Sequence, residues 1–256
     1  MTADDESAVA SLIDADRLPG QLAARERSLE PDGETLVVVG RQGLLAGVVC
    51  CRVRPSDGAG LIMWLHGRED FDVVAALIAL ARAHLGRRPL YACTGPATAT
   101  GIPGLAIDHR PESARALTRA GFSPVSAQRY FLRDLTTAPP VAPTYPLADV
   151  TPVTSPPGWL LKLNDTDGSH MATAILRAPT PQTADMAVLW QLNVRAVYRR
   201  KGVATHLLAQ SLHQVAAHGA HHITADASDD DLPAARLLAT AGFMPLDTLT
   251  VYHRRP

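Results

Sequence analysis

The chain has no long apolar run. Its longest, VVAALIALA over 73–81, is far short of the roughly 20 residues that span a bilayer. It has no even-numbered cysteine set and no C-x-x-C pair, so Cys50, Cys51 and Cys93 read as reduced, buried thiols rather than a disulfide frame. It has no excess of either charge: the net charge is −1, which excludes the basic footprint of a nucleic-acid-binding surface and makes any anion site local. The start, MTADDESAVA, is acidic and lacks the charged-then-apolar layout of a signal peptide. The expectation is a cytoplasmic protein with neither membrane nor nucleic-acid partner.

What is present is a repeat. With 46% hydrophobic and 19% charged residues, 256 residues suit one large globular domain or two small ones. Residues 114–124 read ARALTRAGFSP and 235–245 read ARLLATAGFMP, agreeing at seven positions at one offset. Each reads as a helix stopped by glycine, Gly121 or Gly242, with a strand following, SAQRYFLRDL or DTLTVYHRRP. Upstream, TLVVVG and LLAGVVCCRV flank the turn RQG as WLLKLND and HMATAILRA flank DTDG, two hairpins. A strand, an amphipathic helix and another strand follow in both. In the second copy Val203, Leu207, Leu208, Leu212 and Val215 share the apolar helix face. The expected organisation is one copy over 1–135, a Pro-rich extended linker over 136–158, and a second copy over 159–256.

The copies differ in two ways. The first carries extra helical material, DESAVASLIDADRL and QLAARERSLE. The second carries VYRRKGVATHLL, in which Arg199, Arg200 and Lys201 stand where a helix begins. Cations are locally unfavourable at the positive end of a helix dipole, so an anion is expected there. Gly202 removes a side chain at the turn, letting the first N–H groups approach a phosphate or pyrophosphate. The pattern is neither a Walker loop nor a Rossmann fingerprint. The first copy has Glu69 and Asp70 at the matching place, the residues a helix start carries when no anion binds. An alternative for the Arg-Arg-Lys run is a plain solvated basic cluster.

LNVRAVYRRKGVATHLL closely resembles motif A of the GNAT acetyltransferase superfamily, with Arg199, Gly202 and Ala204 filling [QR]-x-x-G-x-[GA]. Asp231-Leu-Pro-Ala234 followed by ARLLATAGF resembles the family's next motif, N-x-x-A-x-x-L-Y-x-x-x-G-F. The resemblance covers about 159–256 and reaches 1–135 only through the repeat. It implies an α/β (α+β) fold of two tandem GNAT-like domains, the first degenerate, each a mixed, mostly antiparallel sheet flanked by helices. It implies acetyl-CoA as cosubstrate, held by Leu192, Val194, Arg199, Arg200, Lys201, Gly202, Val203, Ala204 and Asp231. By the same resemblance the strand ending at Val194 splays from ITADAS to admit the pantetheine arm. A backbone amide near Val194 then polarises the thioester carbonyl. Asp231, usually Asn, changes the donor chemistry beside that arm.

The usual acid and base are missing. The glutamate position reads Gln191, the tyrosine position Leu238, and no glutamate follows Glu112. An acceptor amine with a pKa of about 10.4 is almost wholly protonated at pH 7, so a base helps. Asp226 is the candidate base, with Asp185 and His170 behind it; attack by the small neutral fraction of the amine needs none. Tyr198 is placed to pack on the adenine or to cover a sheet edge. His221-His222 and Asp229-Asp230-Asp231 do not read as a metal site: adjacent strand histidines face opposite ways, and the aspartates lack calcium-loop spacing. Asp229 and Asp230 read as caps of the next helix, with Pro233 in its first turn. The expected function is acetyl transfer to an amine, with a small-molecule acceptor preferred over a peptide. The alternatives are a non-catalytic acyl-CoA sensor or scaffold, or a peptide N-acetyltransferase. Intrachain pairing of the two domains is expected, and a homodimer is compatible.

Overall fold

In a computed structural model the described residues are 3–19, 33–40, 43–96, 102–136, 145–155, 157–180 and 185–256. They fall into two compact units, one formed by Met1–Gln128 with Asp247–Pro256, the other by Arg129–Leu246. The repeat and the packing therefore divide the chain differently. The terminal strand of the second copy is counted in the first unit, and residues 129–135 of the first copy are counted in the second.

In the first unit, β1 (Glu34–Val39), β2 (Leu45–Val53) and β3 (Gly60–His66) pair antiparallel in succession. Helix α2 (Phe71–Leu85) then crosses to β4 (Leu90–Ala92), which runs parallel to β3. The last strand, β12 (Met244–Arg254), pairs antiparallel with β4 through Tyr252–Arg254 and with the short β5 (Leu105–Ala106). The alternation of β2 explains why helices cover both faces. Val48 and Cys50 pack with Val9, Leu12 and Ile13 of α1 (Ala3–Ala15). Val49 and Cys51 pack with Val74, Leu77 and Ile78 of α2. Helix α3 (Pro111–Arg119) follows β5. The three cysteines are buried thiols outside any disulfide, and burial pushes the Cys51 thiol up to about 12, so it stays protonated.

In the second unit, β7 (Asp149–Thr154), β8 (Pro157–Asn164), β9 (His170–Arg177) and β10 (Met186–Val194) are successive antiparallel neighbours. Helix α4 (Val203–Ala217) leads to β11 (His222–Ser228), parallel to β10, and α5 (Leu232–Thr240) follows. Residues 129–134 of β6 (Ser123–Asp134) continue to Leu135, whose N–H donates to the His221 carbonyl at 2.8 Å. All five apolar positions of the α4 stripe are buried, against Leu161, Leu163, Ala174, Leu176 and the inward alanines of β11. The mixed, mostly antiparallel sheet of each unit is as the sequence implies.

Some local expectations change. Residues 149–154, assigned to a linker, form β7, because an extended Pro-containing segment is tolerated at a sheet edge; Pro152 pairs with Trp159. The helix expected over QLAARERSLE and the turn residues Arg41 and Gln42 lie outside the described residues.

Candidate functional site

β10 and β11 pair only where Met186–Val188 meets His222–Thr224. Beyond that register they run on to Val194 and Ser228 without pairing to each other. A bulge at Trp190 shifts β10 against β9, and the Arg177 guanidinium lies 3.7 Å from the Trp190 ring centroid. β10 therefore diverges from β11 as it approaches the loop that opens α4.

That loop contains two left-handed residues, Arg200 (φ 62) and Gly202 (φ 82). Such a conformation is unremarkable for Gly202 and costs roughly 1–2 kcal/mol at a residue bearing a Cβ. Polar contacts hold the loop: Arg195 N–H donates to Met171 O at 3.0 Å, Tyr198 N–H to Arg195 O at 2.9 Å, and Arg199 Nε to Val194 O at 3.1 Å. The Tyr145 hydroxyl donates to the Lys201 carbonyl. His206 N–H makes the first i→i−4 bond of α4, to Gly202 O at 3.0 Å. The N–H groups of Val203, Ala204 and Thr205 precede that bond and have no carbonyl within the helix. No side chain caps them, and no acid sits in the first turn.

These groups open onto a cleft of about 600 Å³ within the second unit, inside the usual range for small-molecule sites. Of the nine residues assigned to coenzyme from the sequence, Leu192, Val194, Arg199, Arg200, Gly202, Val203, Ala204 and Asp231 line it. Lys201 does not; its ammonium stands 5.7 Å from the Tyr198 ring centroid. Tyr198 does line the cleft, as do Pro233, read from the sequence only as a first-turn residue, and Asn193, Thr205, Arg236, Leu237 and Thr240, which were not singled out. Pro233, Arg236, Leu237 and Thr240 recur three and four apart, so the helical period alone could have found that face. Arg236 adds a third cation to the cleft wall.

The first unit answers the same geometry with its own carboxylates. Asp70 caps α2, accepting from Asp72 N–H at 2.9 Å and Val73 N–H at 3.2 Å. Glu69 does not remain at that helix start. It reaches the start of α3, accepting from Glu112 N–H at 2.9 Å, Ser113 N–H at 3.1 Å and Arg110 Nε at 3.0 Å. The buried Asp16, His66 and Arg110 complete an ionic network there, with Asp16 Oδ2 3.1 Å from His66 Nδ1 and 3.4 Å from Arg110.

The candidate acid–base residues are not brought to the cleft. Asp226 is half-buried on the β11 face opposite Ala225 and Ala227 and is absent from the cleft lining. Burial pushes the neighbouring Tyr130 hydroxyl up, and the Asp226 charge adds to that shift. Asp185 engages His221 Nδ1 at 3.1 Å and His222 Nδ1 at 3.2 Å. The two rings converge on one carboxylate, contrary to the expected opposite facing, because His221 precedes the first residue of β11. His170 Nε2 sits 3.0 Å from Thr173 Oγ1. Leu238 is buried core, and Gln191 is exposed on β10. Asp231, rather than Asp229 or Asp230, caps α5, accepting from Ala234 N–H at 3.0 Å; Asp229 pairs instead with Arg129 at 2.6 Å. Among the described residues no group of three or more His, Cys, Asp or Glu could hold a metal ion, and no helix is long and apolar enough to cross a membrane.

Comparison with known proteins fits this geometry. Residues 129–243 match the model of the acetyltransferase (GNAT) family. Among solved structures, a GCN5-related N-acetyltransferase from Sphaerobacter thermophilus is similar over 100% of this chain and 95% of its own, with TM-score 0.69 at 16% identity. A tandem GNAT protein from the clavulanic acid biosynthesis pathway is similar over 99% and 96%, with TM-score 0.62 at 16% identity. A glucosamine N-acetyltransferase region of a fungal multi-domain β-N-acetylglucosaminidase aligns with 98% of this chain and 37% of that one, with TM-score 0.66 at 12% identity. No curated protein matches the chain.

Proposed function

We propose, from the match of residues 129–243 to the acetyltransferase (GNAT) family and the likeness of the fold to a tandem GNAT protein, that the second unit binds acetyl-CoA and transfers its acetyl group to the amine of a small molecule. The observation that carries this reading is the uncapped, acid-free start of α4, opening into a cleft with Arg199, Arg200 and Arg236. Such a donor set fits a pyrophosphate: backbone N–H groups at the positive end of a helix, with guanidinium groups around them. The divergence of β10 from β11 leaves room for an extended thioester arm leading away from that cradle.

Within this reading, acetyl-CoA supplies an acyl group on a good leaving thiol. The chain's own residues supply binding and orientation. Gly202, Val203 and Ala204 present N–H groups to phosphate oxygens. Leu192 and Val194 flank the arm, with a backbone N–H near Val194 to polarise the carbonyl. None of Asp226, Asp185 and His170 lines the cleft, so the acceptor reacts as its neutral fraction or gives its proton to water. The first unit caps the matching helix start with the Asp70 carboxylate, where this cradle would need free N–H donors, which supports a structural role for it.

A second reading, a sensor that binds acyl-CoA without turnover, draws on Gln191 and Leu238 standing at the acid and base positions. Release of CoA thiol from acetyl-CoA separates the two. The acceptor panel would hold aminosugars, including the glucosamine named for the fungal neighbour, with polyamines, amino acids and peptides. Amine-dependent release, with acetylated product seen by mass spectrometry, supports the enzyme. Binding with no release from any acceptor supports the sensor.

A further inference from the structure

The residues just before β7 belong to the stretch that reads as a linker, yet Tyr145–Ala148 is tied to the first turns of α4. Ala148 N–H donates to Gln210 Oε1 at 2.7 Å, which fixes the orientation of that amide. The Gln210 nitrogen then faces Pro146 O at 3.2 Å and His206 Nε2 at 2.7 Å. His206 Nε2 also lies 3.2 Å from Pro146 O, so the Gln210 amide, the His206 ring and the Pro146 carbonyl form one polar cluster. His206 and Gln210 are one helical turn apart, and both are buried although polar. The Tyr145 ring meets His206 edge-on, with centroids 5.4 Å apart. From that anchored ring the Tyr145 hydroxyl donates to the Lys201 carbonyl.

We propose, resting on the acetyl-CoA reading above, that Tyr145 is a positioning residue for the coenzyme's pyrophosphate: its hydroxyl aims the Gly202 amide into the cleft. A trans peptide is planar, with C=O and N–H pointing opposite ways. Holding the Lys201 oxygen on the Tyr145 side turns the Gly202 N–H the other way. The cleft lining agrees, since Gly202 belongs to it and Lys201 does not. The loop needs such a hold, because Arg200 sits in the left-handed region at φ 62 and would relax if released. The segment Tyr145–Ala148 thus acts as a strap whose attachment to α4 sets the shape of the anion cradle.

The test is Tyr145→Phe, which keeps the ring against His206 and removes only the hydroxyl. CoA binding is measured by calorimetry. KM and kcat are measured with acetyl-CoA and with S-acetylpantetheine, which lacks the pyrophosphate. The expected result is CoA affinity weakened about fivefold, the scale of one net hydrogen bond. KM for acetyl-CoA rises to match while kcat, KM for S-acetylpantetheine and the melting temperature stay as in wild type. Unchanged CoA affinity in Tyr145→Phe overturns the proposal and leaves the acetyl-CoA reading intact. Equal losses with both acyl donors also overturn it, since they mark general loosening of the unit. Wild-type protein that binds no CoA overturns the functional reading and this proposal with it. Gln210→Glu gives a second, independent break, replacing the donor that faces Pro146 O while keeping the side chain's size. It is expected to weaken CoA and spare S-acetylpantetheine in the same way, and the reverse pattern contradicts the strap.

Discussion

Arg199 Nε donates to the carbonyl of Val194 at 3.1 Å, tying the loop that opens α4 to the last residue of β10. The side chain therefore couples the two ends of the candidate coenzyme site, the phosphate cradle and the strand beside the thioester arm. Arg199→Ala is expected to raise KM for acetyl-CoA about tenfold, ~1.4 kcal/mol, the lower range for a charge-assisted hydrogen bond. Arg199→Lys restores the charge without the guanidinium geometry and should recover only part of the loss. Steady-state kinetics at fixed acceptor checks both.

Arg199, Arg200 and Arg236 line the cleft, with Asp231 as the single acid among the lining residues, engaged in capping α5. Raising salt from about 0.1 M to about 1 M shortens the screening length from about 10 Å to about 3 Å. CoA affinity should fall several-fold over that range. Arg236→Ala should weaken binding at low salt and flatten the salt dependence. Titrations at four ionic strengths give the slope, and an identical slope in Arg236→Ala would place that cation outside the coenzyme's reach.

The Asp16–His66–Arg110–Glu69 network makes the first unit acid-sensitive. Burial works to raise the Asp16 carboxyl, but the His66 hydrogen bond and the Arg110 charge outweigh it and hold the group below its ordinary 3.8. A carboxyl lowered in the folded state contributes stability above its unfolded value and loses it as pH falls through the folded value. The Asp16 contribution is thus complete above the ordinary carboxylate range and disappears below pH 3.8. Asp16→Asn is expected to destabilise the protein by about 3 kcal/mol near neutrality, the scale for breaking a buried ion pair. Its loss of stability on acidification should be shallower than that of wild type. Denaturant titrations between about pH 2 and pH 6 measure both effects.

Catalysis without a side-chain base has its own signature. Asp226 is absent from the cleft lining, so Asp226→Asn should leave kcat within about twofold of wild type, well short of the 10²–10⁴-fold typical of a lost general base. The kcat/KM profile should rise tenfold per pH unit toward the acceptor's own pKa, with no enzymic inflection near neutrality. An inflection that Asp226→Asn removes would reinstate that residue as the base.

Much of this was readable in the residues. The hairpin strands β8 and β9 and the stripe Val203, Leu207, Leu208, Leu212, Val215 gave the right elements, because burial of apolar positions is what holds them. The Arg-x-x-Gly-x-Ala loop was legible because its chemistry is local: backbone donors and a left-handed glycine within six residues. The non-local features were not. The Tyr145 strap depends on a bond across 56 positions, and Glu69 serves a helix start 43 or 44 residues on. No window of sequence exposes either contact. Proline content made 136–158 look like a spacer, whereas the vacant hydrogen-bonding edge of β8 recruits residues 149–154 as a strand. Asp231 lines the cleft, and its carboxylate is engaged in capping, a role assigned from the sequence to Asp229 and Asp230.

The central claim is that the start of α4 binds the coenzyme's pyrophosphate, and calorimetry of acetyl-CoA with three proteins tests it most directly. Gly202 has φ 82, and a Cβ there would meet nothing within 4 Å. Gly202→Ala therefore carries only left-handed strain, roughly 1–2 kcal/mol, while Gly202→Glu adds a carboxylate in the cradle. The account predicts that wild type binds, Gly202→Ala binds more weakly, and Gly202→Glu does not bind although it remains folded. Absence of binding by wild type, or binding by Gly202→Glu as tight as by Gly202→Ala, would contradict it.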